Sequence, residues 1–403
     1  MVVSIPLLDK ALTSFLAPEI YDDTFDRVHY IVTTYIMGFL ALMISAKQYI
    51  GTPIKCWTYK EFSNAWVEYA ENYCFIQNTY YQPIHEALPE DFDARKDKEI
   101  NYYQWVPFIL AIQALLFYFP NLIWKYGHSR YGINFEKVIE DSVKLRTLRG
   151  KEKEDEEKLI VNSIYDSLQM AKRDGSIANN AIIRQECGYK ITILYILIKI
   201  IYITNVATQI YAMNIFIGGR NHFWCIDLVR DMLEGRDNIG IKIFPRVTFC
   251  DFVIKSIGND HPYTVQCVLM VNIFNEKIFM FLWLWFSIIL VLSIINIFYN
   301  IWIYLPEKNR RTVAFRYMDY EKCIKKGTQF KIFCKDGLRA DGILLLGFIE
   351  CHAGTTIARL IMDNLYDKFF HEKPSEEFFP VRPPINDSMT KITDKGMAFV
   401  VEA

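Results

Sequence analysis

Four cysteines have the type and spacing to do chemistry: Cys56 and Cys74, 18 residues apart, and Cys250 and Cys267, 17 residues apart. Thiols in matched pairs form disulfides, which persist outside the cell and are reduced in the cytosol. Each pair sits in a connection between long apolar stretches. There are four such stretches, at 28–50, 105–125, 188–215 and 278–303. Each supplies the roughly 18–20 residues that a helix needs to cross about 30 Å of hydrocarbon. A chain that crosses four times places its first and third connections on one face. Both cysteine pairs therefore face one compartment, and the pattern reads as two loops stapled together on a helical bundle. Four cysteines allow three pairings.

Cysteine chemistry also sets the orientation, because charge does not. The flanks proposed as inner hold 9 Lys and Arg, those proposed as outer hold 8, so the positive-inside rule is nearly tied. Residues 1–27 lack the basic start, apolar core and small-residue site of a cleavable signal. The N-terminus is expected to stay in the cytosol, and four crossings return the C-terminus there. Trp57, Trp66, Trp105 and Trp224 fall near one set of span ends, and Trp124 and Trp302 near the other, as aromatic belts do. Any one of them is equally explained as a packing residue.

The charge balance, 45 Lys and Arg against 46 Asp and Glu, gives no global field for nucleic acid. The nine cysteines and seven histidines show no metal-ligand spacing, and no glycine loop cradles phosphate. No cofactor is expected, and an enzyme is disfavoured. Cys323, Cys334 and Cys351 fall on the cytosolic side and are expected to be reduced. Cys225 is a fifth outer-side cysteine, expected to be buried or at the membrane interface.

Along the chain, residues 1–27 form a cytoplasmic N-terminal segment. Its stripe of Leu8, Leu12, Phe15 and Leu16 has helical spacing, with Asp9 and Lys10 on the other face. This helix lies either on the membrane surface or folded into a water-filled lumen. The first outer loop, 51–104, is expected to be folded over Cys56–Pro83 and charged and exposed over Glu86–Glu99. Pro107 and Pro120 fall in the second span; a proline there frees a carbonyl that neighbouring helices must satisfy. The cytoplasmic loop, 126–187, reads as a small helical subdomain around the mixed-charge run 151–158. Lys199, in the third span, is a functional hypothesis by default. The blander reading is that the hydrocarbon part is 200–217 and Lys199 marks the interface. The second outer loop, 216–277, holds an amphipathic stretch at 223–233 and strand character at 265–267. After the fourth span, 304–372 forms a cytoplasmic domain. It is expected to contain two strands, Phe330–Phe333 and Ile343–Phe348, and a helix over Thr356–Phe370. Four prolines and low hydrophobicity read 373–403 as a disordered tail.

The second span opens on Tyr102-Tyr103-Gln104-Trp105-Val106-Pro107-Phe108. Asp22-Asp23-Thr24-Phe25-Asp26-Arg27 precedes the first span. Phe244-Pro245-Arg246-Val247-Thr248-Phe249-Cys250-Asp251-Phe252 and Tyr263-Thr264-Val265-Gln266-Cys267-Val268-Leu269 lie in the second outer loop. Asn272-Ile273-Phe274-Asn275-Glu276-Lys277-Ile278-Phe279 leads into the last span. In these blocks and their order the chain resembles the innexin family, the invertebrate gap-junction proteins, over about residues 20–370. Met270 departs from the resemblance, since the family commonly has proline there.

The resemblance implies an all-α membrane protein: a four-helix transmembrane bundle with disulfide-stapled extracellular loops containing short strands, and a mainly helical cytoplasmic domain. It implies nested bonds, Cys56 with Cys267 and Cys74 with Cys250, with closure inside each loop as the alternative. It further implies homo- or hetero-oligomeric rings of innexin-like subunits, eight by this likeness, around a wide pore without a carbonyl filter. Such rings sit in the plasma membrane at gap junctions and dock to rings on neighbouring cells, so that ions and small metabolites pass between cytoplasms. Leu8, Asp9, Lys10, Leu12 and Phe15 become candidates for pore lining and gating. Two other classes fit the topology: an undocked hemichannel releasing ions or small metabolites, and a non-conducting four-span adhesion or scaffold protein.

Overall fold

The computed structural model describes residues 22–371 apart from 78, 84–85, 92–94, 129–134, 178–187, 218–223, 236–242 and 319–326. The candidate gating residues Leu8, Asp9, Lys10, Leu12 and Phe15, and the tail 373–403, lie outside the described residues.

The chain begins with α1 (Thr24–Tyr49). β1 (Ile54–Trp57), α2 (Asn64–Ile76), β2 (Thr79–Tyr80) and β3 (Glu99–Ile100) follow, then α3 (Val106–His128). Next come α4 (Phe135–Lys144), α5 (Lys151–Ile177), α6 (Lys190–Ile217) and α7 (Trp224–Leu233). The hairpin of β4 (Val247–Ser256) and β5 (Asn259–Leu269) leads directly into α8 (Met270–Tyr304). The chain closes with α9 (Glu307–Arg316), α10 (Gly327–Ile332), α11 (Arg339–Ala353) and α12 (Thr355–His371). Among the described residues α1, α3, α6 and α8 are the four helices long and apolar enough to cross a membrane. They pack as a bundle, α1 against α3, and α6 against both α3 and α8.

The two prolines of α3 have different consequences. Pro107 falls in the first turn, where its missing N–H has no intrahelical partner to lose. Pro120 is inside the helix and cannot donate to the carbonyl of Leu116. Asn205 of α6 donates its Nδ2–H to that carbonyl at 3.1 Å, so the neighbouring span satisfies the acceptor the proline abandoned. Met270 is the first residue of α8. That is the helical position proline favours, so a family proline there would fit the same turn.

Apolar burial is divided between two cores. One joins the sheet end of the bundle to the outer-loop elements and includes Met37, Phe117, Val206 and Phe286. The other joins the opposite end to α4, α5, α11 and α12 and includes Trp124, Tyr202, Phe348 and Ile361. Tyr202 and Val206 are one turn apart on α6, so the cores meet at that level. A buried polar layer occupies the junction. His29 Nε2 is 2.7 Å from Ser293 Oγ, and Lys199 reaches Asp26 at 2.8 Å and Asp23 at 3.3 Å. Asn296 Nδ2 donates to Asp23 at 3.3 Å. In the same stretch α1 widens into a π-helical segment, Val28–Thr33. The Thr33 hydroxyl donates to the Val28 carbonyl at 2.8 Å there.

Several expectations need correction. Phe330–Phe333 and Ile343–Phe348 are helical, in α10 with the π turn Phe333–Leu338 and in α11. Ile343, Leu344, Leu345, Leu346, Phe348 and Ile349 are all buried. A short run buried on every side has no period to separate strand from helix. Lys199, read as marking the interface, is buried in the protein: its side chain is 5% exposed and paired within the polar layer. The strand character read at 265–267 belongs to a hairpin of 10- and 11-residue strands. Polar Asp251, Lys255, Asn259 and Asp260 hide those strands from a hydrophobic pattern.

Candidate functional site

The two cysteine-bearing connections merge into one antiparallel sheet of order β1-β5-β4-β2-β3. β1, β2 and β3 come from the first connection and β4 and β5 from the second, so neither loop holds its own fold. In the ladder Cys56 stands opposite Cys267, and the two are bonded. Cys74 lies on the buried face of α2 with Ala70, one turn away, and is bonded to Cys250 of β4. Both bonds cross between the loops, spanning 211 and 176 residues of chain. The sulfurs of Cys56, Cys74 and Cys267 lie within 4.8 Å of one another. All three are held in disulfides, so none is the thiolate a metal would need.

Side chains on the sheet complete the join. Tyr80 of β2 stacks on Phe249 of β4, with ring centres 6.0 Å apart. Asp251 accepts from the Tyr80 hydroxyl at 3.2 Å and from the Thr264 hydroxyl at 2.7 Å. Arg95 Nη1 pairs with the same carboxylate at 3.0 Å. Burial and the adjacent Asp251 push the Tyr80 phenol up to about 12, so it remains a donor at neutral pH. Arg95 falls in the stretch expected to be charged and exposed; the β4 carboxylate draws it onto the sheet instead.

The Tyr-Tyr-Gln-Trp block is the mortise between sheet and bundle. Gln104 Nε2 donates to the carbonyls of Phe75 and Ile76, at 2.7 and 3.1 Å, covering the C-terminal end of α2. The buried Tyr103 hydroxyl also donates to Phe75 O, at 3.2 Å. Burial pushes that phenol up to about 12. Tyr102 donates to the Ile243 carbonyl in the second loop at 3.2 Å, and Gln48 at the end of α1 donates to Tyr103 O at 2.7 Å. Trp105 is 60% exposed, while Val106 and Pro107 are buried at the start of α3.

A second joint ties the hairpin to α8. Arg246 pairs with the buried Glu276 at 3.0 Å, and Asn272 Nδ2 donates to Pro245 O at 2.9 Å. These contacts join two sequence blocks that are read separately along the chain. The sequence marks the blocks of both joints as family motifs but not the contacts between them. The available signal for the second joint was Glu276, beside Lys277 at the mouth of a charge-free span. Cys225 of α7 is buried, its Sγ 3.8 Å from the Met280 carbonyl, and burial pushes the thiol up to about 11.

The sheet ends in the β4–β5 turn, where Ser256 pairs with Asn259. Gly258, with φ +86°, takes the left-handed position there. Ile257 at the tip is fully exposed. The arrangement is a rigid, doubly cross-linked projection on one end of a four-helix bundle.

A family model described as Innexin matches residues 22–369. Innexin-3 of Caenorhabditis elegans is 36% identical over 382 residues, covering 91% of this chain and 88% of its own length. Innexin unc-9 of the same species is 35% identical over 361 residues, covering 87% and 93%. Innexin-19 of Caenorhabditis briggsae is 33% identical over 403 residues, covering 92% and 91%. This chain, with its four span-length helices and disulfide-stapled sheet, belongs to the innexin family, whose members form gap-junction channels.

Proposed function

We propose that the protein is a subunit of a ring-shaped, large-pore channel that docks to a like ring on a neighbouring cell. Hydrated ions and small metabolites then pass between the two cytoplasms. The observation that carries this reading is the fusion of both outer loops into one sheet held by two cross-loop bonds. Docking must offset the entropy of ordering every mobile group at the contact. A projection already rigid in the free ring loses least. The paired cysteines support a sheet that faces the cell exterior, with both chain ends in the cytosol. A ring of eight is the size that family likeness implies. Residues 2–17 are proposed to fold into the pore entrance, with Leu8, Leu12 and Phe15 against the spans and Asp9 and Lys10 toward the lumen.

Dye transfer between paired expressing cells tests this reading. Transfer into the partner cell supports a docked channel. Dye uptake by single cells without transfer between pairs would instead assign an undocked hemichannel, and neither would assign a scaffold. Deleting residues 2–17 is expected to change single-channel conductance or gating; unchanged behaviour removes the pore-lining role.

A further inference from the structure

At the end of the bundle opposite the sheet lies a cavity of about 210 Å³, where the start of α1, the last turns of α8, and α9 and α11 converge. It is smaller than the roughly 300–1,000 Å³ of a drug-sized pocket, so its occupant has few heavy atoms. Two carboxylates line it, Asp23 and Glu350, with Tyr195, Tyr304 and Tyr317 among the walls. The Tyr317 hydroxyl donates to Glu350. Phe348 and Ile343 supply the apolar part.

The chemistry this cluster accepts is visible beside it. The Lys199 ammonium sits 4.8 Å from the centre of the Tyr195 ring and reaches Asp26 and Asp23. Carboxylate and tyrosine thus already hold one alkylammonium at the cavity's edge. Lys199 lies closer to Asp26 than to Asp23, 2.8 against 3.3 Å, which leaves Asp23 the less neutralised of the two. Of the charged side chains lining the cavity, Asp23 and Glu350 face the exposed Arg316, two carboxylates against one cation. An anion is therefore disfavoured. Aromatic walls prefer a weakly hydrated organic cation to a small metal ion, whose water they cannot replace.

We propose that this cavity is a binding site for a small organic cation, an ammonium bearing short alkyl groups, held by Asp23 and Glu350 among the rings of Tyr195, Tyr304 and Tyr317. The site joins the first turn of α1, where the N-terminal segment enters, to α8 and α11. An occupant therefore bridges the bundle and the helical domain beneath it. The inference does not depend on whether rings dock.

Cys351 gives a local reporter, because it is exposed and lines the cavity. The test uses the purified full-length channel in detergent, with choline as probe and its uncharged isostere 3,3-dimethyl-1-butanol as control, at constant ionic strength. Alkylation of Cys351 by N-ethylmaleimide is followed by peptide mass spectrometry. Choline is expected to slow alkylation saturably, at least threefold, while the neutral isostere does not. Glu350→Gln is expected to weaken protection about tenfold. Gly347→Leu, which fills the cavity from α11 without altering a charge, is expected to abolish it. No protection by choline in the unmodified protein, or equal protection by the isostere, overturns the proposal whatever the variants do.

Discussion

Lys199 Nζ lies 2.8 Å from Asp26 Oδ1 although 173 residues separate them in the chain, and both side chains are buried. This pair pins the start of α1 to the middle of α6 at the level where the two apolar cores meet. Removing one partner strands the other charge. Lys199→Met is expected to lower stability by about 3–5 kcal/mol, the typical cost of breaking a buried pair from one side. Lys199→Met with Asp26→Asn is expected to recover much of that loss. Thermal melting of the detergent-solubilised protein, followed by size-exclusion chromatography, measures both.

Neither disulfide closes within a loop, so the two halves of the chain are covalently cross-linked, beyond the backbone itself, through the sheet. A protease site introduced between α5 and α6 should leave one band on a nonreducing gel and two after reduction. With Cys56 and Cys74 both changed to Ala, the fragments should separate without reductant. The same double change is expected to abolish assembly, since losing one such bond typically costs about 2–5 kcal/mol.

Asn205 and Pro120 are predicted to be coupled. Asn205→Leu leaves the Leu116 carbonyl unsatisfied in an apolar setting, and a loss of roughly 0.6–1.7 kcal/mol is expected for an interhelical hydrogen bond of this kind. With Pro120→Ala present, the restored N–H reaches Leu116 O along the helix, and Asn205→Leu should then cost little. A double-mutant cycle on melting temperature reads the coupling; additive effects would show that Asn205 does not compensate for the proline.

Cys225 should stay unreactive. Its thiol is buried and pushed up to about 11, so at pH 7.5 almost none is thiolate. A membrane-impermeant maleimide applied to intact cells is expected to leave Cys225 unlabelled, and denaturation without reductant should expose it. Labelling of the native channel at a rate comparable to a surface cysteine would show that α7 does not seal that site.

The legible part of this protein is the part governed by composition over long windows. Four runs of about twenty apolar residues dictate four spans, because hydrocarbon leaves a backbone no partner but itself. The alternation of spans and connections puts both cysteine pairs on one face. The block around Tyr102–Pro107 marks the family without revealing its task. Only the fold shows that Gln104 and Tyr103 close the end of α2 while Tyr102 holds the second loop.

Tertiary structure decided everything that depends on which distant groups meet. A lysine in an apolar stretch reads the same whether it lies at the interface or beside an aspartate. The distinction came from α1 and α6 packing so that Lys199 faces Asp26. The run Ile343–Phe348 reads as a strand until it is seen as a buried stretch of the helix α11. Disulfide partners are likewise chosen in space: Cys56 meets Cys267 because β1 pairs with β5. Sequence sets how much of a segment must leave water, and burial alone is nearly indifferent to which partner covers it. Partner identity is fixed only when directional contacts, namely strand ladders, ion pairs and single hydrogen bonds, are satisfied together.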